Sequence, residues 1–171
     1  MSRQGALEDE SGFTLIEVIV TIALMGIVLA IASSFWFGVV EDRRVDSATN
    51  QMVSELHFAH NSSTNRLEDW KVDLQANSRD YSIGPCPDPD VCALPLDPAD
   101  PLTSERSLEE GTEVRASGGD VVQRVVFEPN GEAQITGAGC IRIAADDGSP
   151  YHEIEINPVT SRIRVLPDEC V

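Results

Sequence analysis

Apolar and polar residues divide the chain into stretches of different period. From Phe13 to Val40 the sequence FTLIEVIVTIALMGIVLAIASSFWFGVV is apolar, and Glu17 is its only ionisable residue. As a helix rising about 1.5 Å per residue, this run exceeds the roughly 20 residues that cross a bilayer core. Beyond Val40 the pattern turns amphipathic. Val45, Ala48 or Thr49, Met52, Leu56 and Ala59 recur at steps of three and four, while Glu41, Asp42, Arg43, Asp46, Asn50, Gln51 and Glu55 fall mostly between them. This predicts one continuous helix from Phe13 to about Asn61, its first half in a membrane and its second half laid on a sheet.

The period then changes from helical to alternating. Trp70, Val72 and Leu74 alternate with Lys71, Asp73 and Gln75, which predicts a strand. Gly84 to Pro101 carries six of the ten prolines and reads as an irregular surface loop, because proline offers no backbone donor to a ladder. Strands are expected again at Gly111 to Ala116 and Val121 to Phe127, followed by a turn at Pro129, Asn130 and Gly131. Ala133 to Thr136 and Cys140 to Ala144 form two more, separated by Gly137 and Gly139.

The C-terminal segment predicts a hairpin with a definite register. Across a loop from Asn157 to Thr160, pairing Ile156 with Ser161 sets Ile154 opposite Ile163, Glu155 opposite Arg162 and Glu153 opposite Arg164. One face is then apolar and the other carries two ion pairs, each worth roughly 0.2 to 1 kcal/mol. A slip of one residue would break both patterns.

Glu17 requires a cause. A carboxylate within a membrane helix costs on the order of 2.5 to 3.5 kcal/mol on insertion scales, so such a group is normally paired or functional. An ordinary single-pass anchor with a stray acid would let it snorkel to the interface, but that reading leaves the local pattern unexplained. A secretory signal peptide would have a shorter, acid-free apolar core.

Residues Gly12, Phe13, Thr14, Leu15, Ile16, Glu17 and Val18 resemble the processing motif of type IV prepilins and type II secretion pseudopilins. The resemblance implies cleavage of a leader, residues 1–12, between Gly12 and Phe13, and N-methylation of Phe13 by a prepilin peptidase/N-methyltransferase. It also implies that Glu17 is an assembly contact, paired with the Phe13 amine of a neighbouring subunit. The layout of a helix followed by short strands, with VVFEPNG from Val125 to Gly131 and a final RIRV strand, is similar to the GspH/FimT group of minor pseudopilins and minor pilins. The implied fold is α+β and pilin-like. A long N-terminal helix, with a transmembrane half at 13–40 and an amphipathic half at 41–61, packs on a β-rich head of antiparallel sheet at 68–171.

Composition narrows the setting. With 29 acidic against 12 basic residues the formal charge is −17, which suits a soluble extracytoplasmic head at 41–171 and opposes long-range attraction to nucleic acid. Cys86, Cys92, Cys140 and Cys170 are an even set without a C-x-x-C pair, pointing to disulfides in an oxidising compartment. Four cysteines permit three pairings. The turn-forming Pro87-Asp88-Pro89-Asp90 favours Cys86 with Cys92, leaving Cys140 for Cys170. Counting flanking basic residues, Arg3 against Arg43 and Arg44, favours the N-terminus outside. The resemblance and the cysteines instead place the N-terminus in the cytoplasm and the head in the periplasm, on a single-pass anchor in a bacterial inner membrane. Phe35, Trp36 and Phe37 fall where an interfacial aromatic belt is expected.

No catalytic constellation is present. Ser33 and Ser34 lie in the apolar run, and no G-x-S-x-G or phosphate-cradling motif occurs. His57 and His60 share helical spacing but lack a third ligand, and the Asp-rich loop lacks the calcium-loop arrangement, so neither a metal nor a cofactor is assigned. Arg124, Arg142, Arg162 and Arg164 are candidates for a nucleic-acid contact, because some members of the group it resembles capture DNA through C-terminal basic residues, but the expected register neutralises Arg162 and Arg164. The expected function is structural and non-enzymatic: a minor subunit at or near the tip of a type II secretion pseudopilus or type IV pilus. Its partners would be other pilins or pseudopilins and an inner-membrane assembly platform. The alternative is a pilus-tip binding module, an adhesin or DNA uptake receptor.

Overall fold

The computed structural model describes residues 13–87, 92–115, 124–137 and 139–166, without the side chains of 34–37. Contacts divide the chain into two compact units, the first ending at Val39 and the second running from Val40 onward. One helix, α1 (Leu15–Arg66), contributes to both.

In the first unit the described side chains from Phe13 to Ser33 are exposed, so this stretch buries nothing against its own chain. Its hydroxyls bond within the helix: Thr21 Oγ1 donates to Val18 O at 2.9 Å and Ser33 Oγ to Ala30 O at 3.0 Å. Such back-bonding removes the cost of carrying a hydroxyl into lipid. The leader (1–12) and the Phe35–Phe37 cluster's side chains lie outside the described residues.

In the second unit the amphipathic stripe becomes a buried seam. Val45, Ala48, Thr49, Met52, Leu56, Ala59 and Ser63 are all buried, at the three- and four-residue spacing of one helix face. The helix ends at Arg66, five residues past the expected Asn61. Ser62, Ser63 and Thr64 read as loop formers. Their hydroxyls instead extend the helix by returning to its own carbonyls, Ser63 Oγ to His60 O at 2.8 Å and Thr64 Oγ1 to Asn61 O at 3.1 Å. Leu67, at φ 56°, then ends it in the left-handed conformation.

Nine strands are described: β1 (Trp70–Leu74), β2 (Asp80–Pro85), β3 (Ser104–Ser107), β4 (Thr112–Arg115), β5 (Arg124–Phe127), β6 (Ala133–Thr136), β7 (Cys140–Ala145), β8 (Tyr151–Ile156) and β9 (Ile163–Leu166). They form two antiparallel sheets, one ordered β3-β2-β1-β5-β6 and one ordered β4-β7-β8-β9. Both sheets and the helix seam share one core. It includes Met52 and Leu56 of α1, Val72, Ile83 and Phe127 of the first sheet, and Ile141, Ile143 and Ile154 of the second. Fully burying each such side chain stabilises by roughly 1.5 to 3 kcal/mol.

Two strands depart from expectation. β2 occupies Asp80–Pro85, reaching into the segment expected to be irregular. Tyr81 and Ile83 point to the core, and Gly84 allows a close approach, since a Cβ there would stand 3.2 Å from Thr103 Cα. β3, with the sequence Ser-Glu-Arg-Ser, carries no apolar alternation and, among the described strands, pairs with β2 alone.

The C-terminal hairpin corrects the expected register by two residues. Ile156 pairs with Ile163, Ile154 with Val165, Glu155 with Arg164 and Glu153 with Leu166. Moving the loop along by one residue moves the sum of paired positions by two, so the apolar face survives while every partner changes. The loop's own contacts set this choice. Asn157 N donates to Arg162 O at 2.9 Å, and the Asn157 carboxamide oxygen accepts from Val159 N at 3.1 Å and Thr160 N at 3.0 Å. Ser161, at φ 49°, donates its hydroxyl to Gly131 O at 2.8 Å, and Pro158 O accepts from Ala133 N at 2.8 Å. The tip is thereby fixed to the turn before β6.

Candidate assembly site

The helix start combines a cap with a carboxylate. Thr14 precedes the first helical residue, and its Oγ1 accepts from Glu17 N at 3.3 Å, while Thr14 O accepts from Val18 N at 3.3 Å. Threonine is a favoured cap because its hydroxyl satisfies an amide that the first turn leaves without a partner. Glu17 thus stands three residues after the cap, in the first turn of α1, with its side chain exposed. Among the described residues no ion pair falls on it, and Gly12 lies outside them. Chemically, the site offers one fixed carboxylate on an apolar helix to a cation brought by another molecule.

In the head, the first sheet's outer face is covered. Cys86 and Cys92 are joined by a disulfide, with Cα atoms 5.1 Å apart, and the chain beyond Cys92 folds back over β1 and β5. A buried cluster holds it there. Asp73 Oδ1 accepts from Arg124 Nε at 2.7 Å, Asp73 Oδ2 accepts from Leu96 N at 2.9 Å, and Lys71 Nζ lies 3.3 Å from Asp73 Oδ2. Lys71 Nζ also donates to Leu94 O, and Arg124 NH1 donates to Ala93 O at 2.7 Å. The Lys71 side chain is 0% exposed. Burial lowers its pKa below 10.5, opposed by the Asp73 carboxylate. Cys86, Cys92 and Val126 form a small apolar cluster under the same segment.

Sequence reasoning missed this clamp, since Lys71 and Asp73 read as the solvated row of β1. The available signal was a cysteine pair at the start of a proline-rich segment long enough to cover that row. An open cleft of ≈ 810 Å³ lies alongside, lined among others by Asp73, Ser82, Glu105 and Arg124. Its arginines are already engaged, Arg124 by Asp73 and Arg106 by Glu55 at 2.7 Å.

The remaining candidates separate. Arg142 Nε donates to Glu153 Oε1 at 2.8 Å, on the neighbouring strand, with Glu153 fully buried. Glu153 is therefore not the partner of Arg164; Glu155 takes that place across the ladder, and Arg162, expected opposite Glu155, lies beyond the paired residues of β9. Both arginines are exposed. His60 packs its ring against Phe127 at 5.6 Å between centroids, and His57 is exposed. Among the described residues no group of three His, Cys, Asp or Glu side chains is placed to hold a metal. Cys140 is disulfide-bonded, and Cys170 lies outside the described residues.

Comparison with known proteins follows the same two units. Residues 9–33 match the prokaryotic N-terminal methylation motif, and residues 48–160 match the family described as type II transport protein GspH. The chain belongs to the GspH family. The fold of this GspH-family protein is also similar to crystal structures of the type IV minor pilin FimU of Pseudomonas aeruginosa (strain PAO1) in two space groups. Each match has a TM-score of 0.50 at 16% identity; they cover 71% and 75% of this chain and 92% of that chain. No curated relative matches in sequence. The GspH-family chain is a minor pseudopilin or pilin, a structural subunit and not an enzyme. Its methylation motif implies processing by prepilin peptidase and assembly with pilin-family subunits, and its apolar N-terminal helix implies membrane anchoring.

Proposed function

We propose that the chain is cut between Gly12 and Phe13, methylated on Phe13, and held in the bacterial inner membrane by residues 13–40 with residues 41–171 in the periplasm. The mature protein then joins a type II secretion pseudopilus or type IV pilus as a minor subunit at or near its tip, drawn from the membrane with the help of the inner-membrane assembly platform. One observation carries this reading: a single carboxylate, Glu17, in the first turn of an exposed apolar helix, inside the residues that match the methylation motif. Unpaired, that charge opposes burial in lipid. Pairing it with a neighbour's Phe13 amine removes the penalty and fixes the axial register of adjacent helices. In the head, Cys140 is assigned to Cys170, which would staple the C-terminal tail to β7.

The processing step is read by intact mass. Protein purified from the native membrane should have the mass of a chain beginning at methylated Phe13. A mass retaining residues 1–12 in assembled material would contradict it. A second reading, a pilus-tip adhesin or DNA uptake receptor, is favoured by one feature, the exposure of Arg162 and Arg164 at the outer strand of the second sheet. Nucleic acid remains the weaker partner because the rest of a −17 chain repels phosphate.

A further inference from the structure

We propose that the outer edge of β9 receives an extended segment of a neighbouring subunit, with carboxylates on one face and aliphatic side chains on the other, as an added strand. The sheet edges differ in how they are closed. The β4 edge is closed by the β1–β2 turn, where Val114 N donates to Ser78 O at 2.9 Å and Asn77 N to Val114 O at 2.8 Å. β6 is engaged by the hairpin tip through Ala133 N and Pro158 O, and β3 by α1, where Gln51 Nε2 donates to Ser107 O at 2.9 Å. Among the described residues nothing hydrogen-bonds the outward side of β9. Because Asn157 N bonds Arg162 O, alternation along the ladder turns the N–H and C=O of Ile163 and Val165 outward.

The side chains on this edge define the occupant. Val165 lies opposite Ile154, on the core-facing row, yet it is 44% exposed, because among the described residues no strand lies beyond β9 to cover it. Val159, at the hairpin tip, is 69% exposed. On the opposite face Arg164 lies across the ladder from Glu155 and Arg162 stands at the base of the strand; both are exposed, and among the described residues neither is within ion-pair distance of a carboxylate. An added strand with aliphatic residues at alternate positions would complete the core-facing row, and carboxylates between them would meet the arginines. Main-chain pairing supplies affinity and the alternating side chains supply selectivity, as in other strand-addition complexes.

A second copy of β9 fits poorly. Antiparallel registers centred on the strand set arginine against arginine. Charged edge residues also serve simply to block pairing. The two readings differ in what an acidic strand does.

The test uses the full processed chain in detergent micelles, with exchange followed at the Ile163 and Val165 amides. The probe is a soluble peptide alternating glutamate and valine; controls are its lysine–valine counterpart and a duplex DNA oligonucleotide. The glutamate peptide should slow exchange at both amides about tenfold, and the lysine peptide should not. The double variant R162E with R164E should reverse that preference, with unchanged protection in β8 confirming that it is folded. Four results would overturn the proposal: no protection by either peptide, equal protection by both, protection by DNA instead, or protection that rises with protein concentration alone. None depends on whether the chain enters a pilus, so this proposal and the assembly reading fail separately.

Discussion

Replacing Asp73 with alanine should be among the most damaging single changes to the head's outer face. The carboxylate accepts from Arg124 Nε at 2.7 Å and Leu96 N at 2.9 Å and faces Lys71 Nζ at 3.3 Å. Its removal leaves a fully buried ammonium and a guanidinium 19% exposed without their counter-charge. Breaking such a pair from one side costs about 3 to 5 kcal/mol. The residual exposure of Arg124 places Asp73→Ala near the lower end. Lys71→Met removes the opposite partner, and the cost differs. It loses the bond to Leu94 O, about 1 kcal/mol, but also removes a charge that burial disfavours, and methionine fills much of the same volume. Its net effect should fall within about 1 kcal/mol of zero.

The assay is guanidinium unfolding of the processed chain in detergent, followed by Trp70 fluorescence with Trp36 replaced by Phe. The Lys71 pKa is lowered in the folded state, so the folded chain binds fewer protons than the unfolded chain just below 10.5. Stability from this group therefore rises with pH through that window, and Lys71→Met should abolish the slope. The reasoning fails if Lys71→Met costs as much as Asp73→Ala, or if Asp73→Ala costs less than about 1 kcal/mol.

Further changes test the loops around the core. Serine at both Cys86 and Cys92, which are separated by 6 positions, should lower stability by about 2 kcal/mol on the loop-closure estimate; a negligible shift of the denaturation midpoint would mean that the polar clamp alone holds the loop. Ser161→Ala should cost about 1 kcal/mol through the lost bond to Gly131 O, whereas Ser161→Gly should cost less because glycine suits φ 49°; the reverse order would refute the account of the hairpin tip. Burial, with a contribution from Glu128, raises the Asp69 pKa above 3.8, so its ionisation disfavours the folded state as pH rises through that window. Asp69→Asn should therefore raise the thermal midpoint at neutral pH, and that gain should vanish below 3.8.

Periodicity made the helix seam legible because Val45 to Ala59 face one core at regular spacing, and the same logic placed β1, β5, β6 and β7. It failed where burial did not alternate. β3 has no apolar residue, and Lys71 is buried on a row that pattern alone assigns to water. Helix length was underestimated because Ser63 and Thr64 bond their own turn, a use of hydroxyls that composition cannot distinguish from a loop. The hairpin's faces were correct and its partners were not. Apolar matching is indifferent to a shift of two residues, and the deciding contacts, Ser161 to Gly131 and Pro158 to Ala133, are distant in sequence. At the candidate assembly site, Glu17 stands out as the one charge in an apolar run. Its cap, Thr14 to Glu17, is a local bond that the same seven residues encode.

The central claim is that Glu17 is required for assembly and not for anchoring. Glu17→Ala should be measured in cells that build the fibre, scoring membrane-inserted and fibre-incorporated protein separately. The account predicts undiminished insertion, since an intramembrane charge has been removed, together with a sharp loss of incorporation beside wild-type subunits. Normal incorporation of the alanine variant would contradict it.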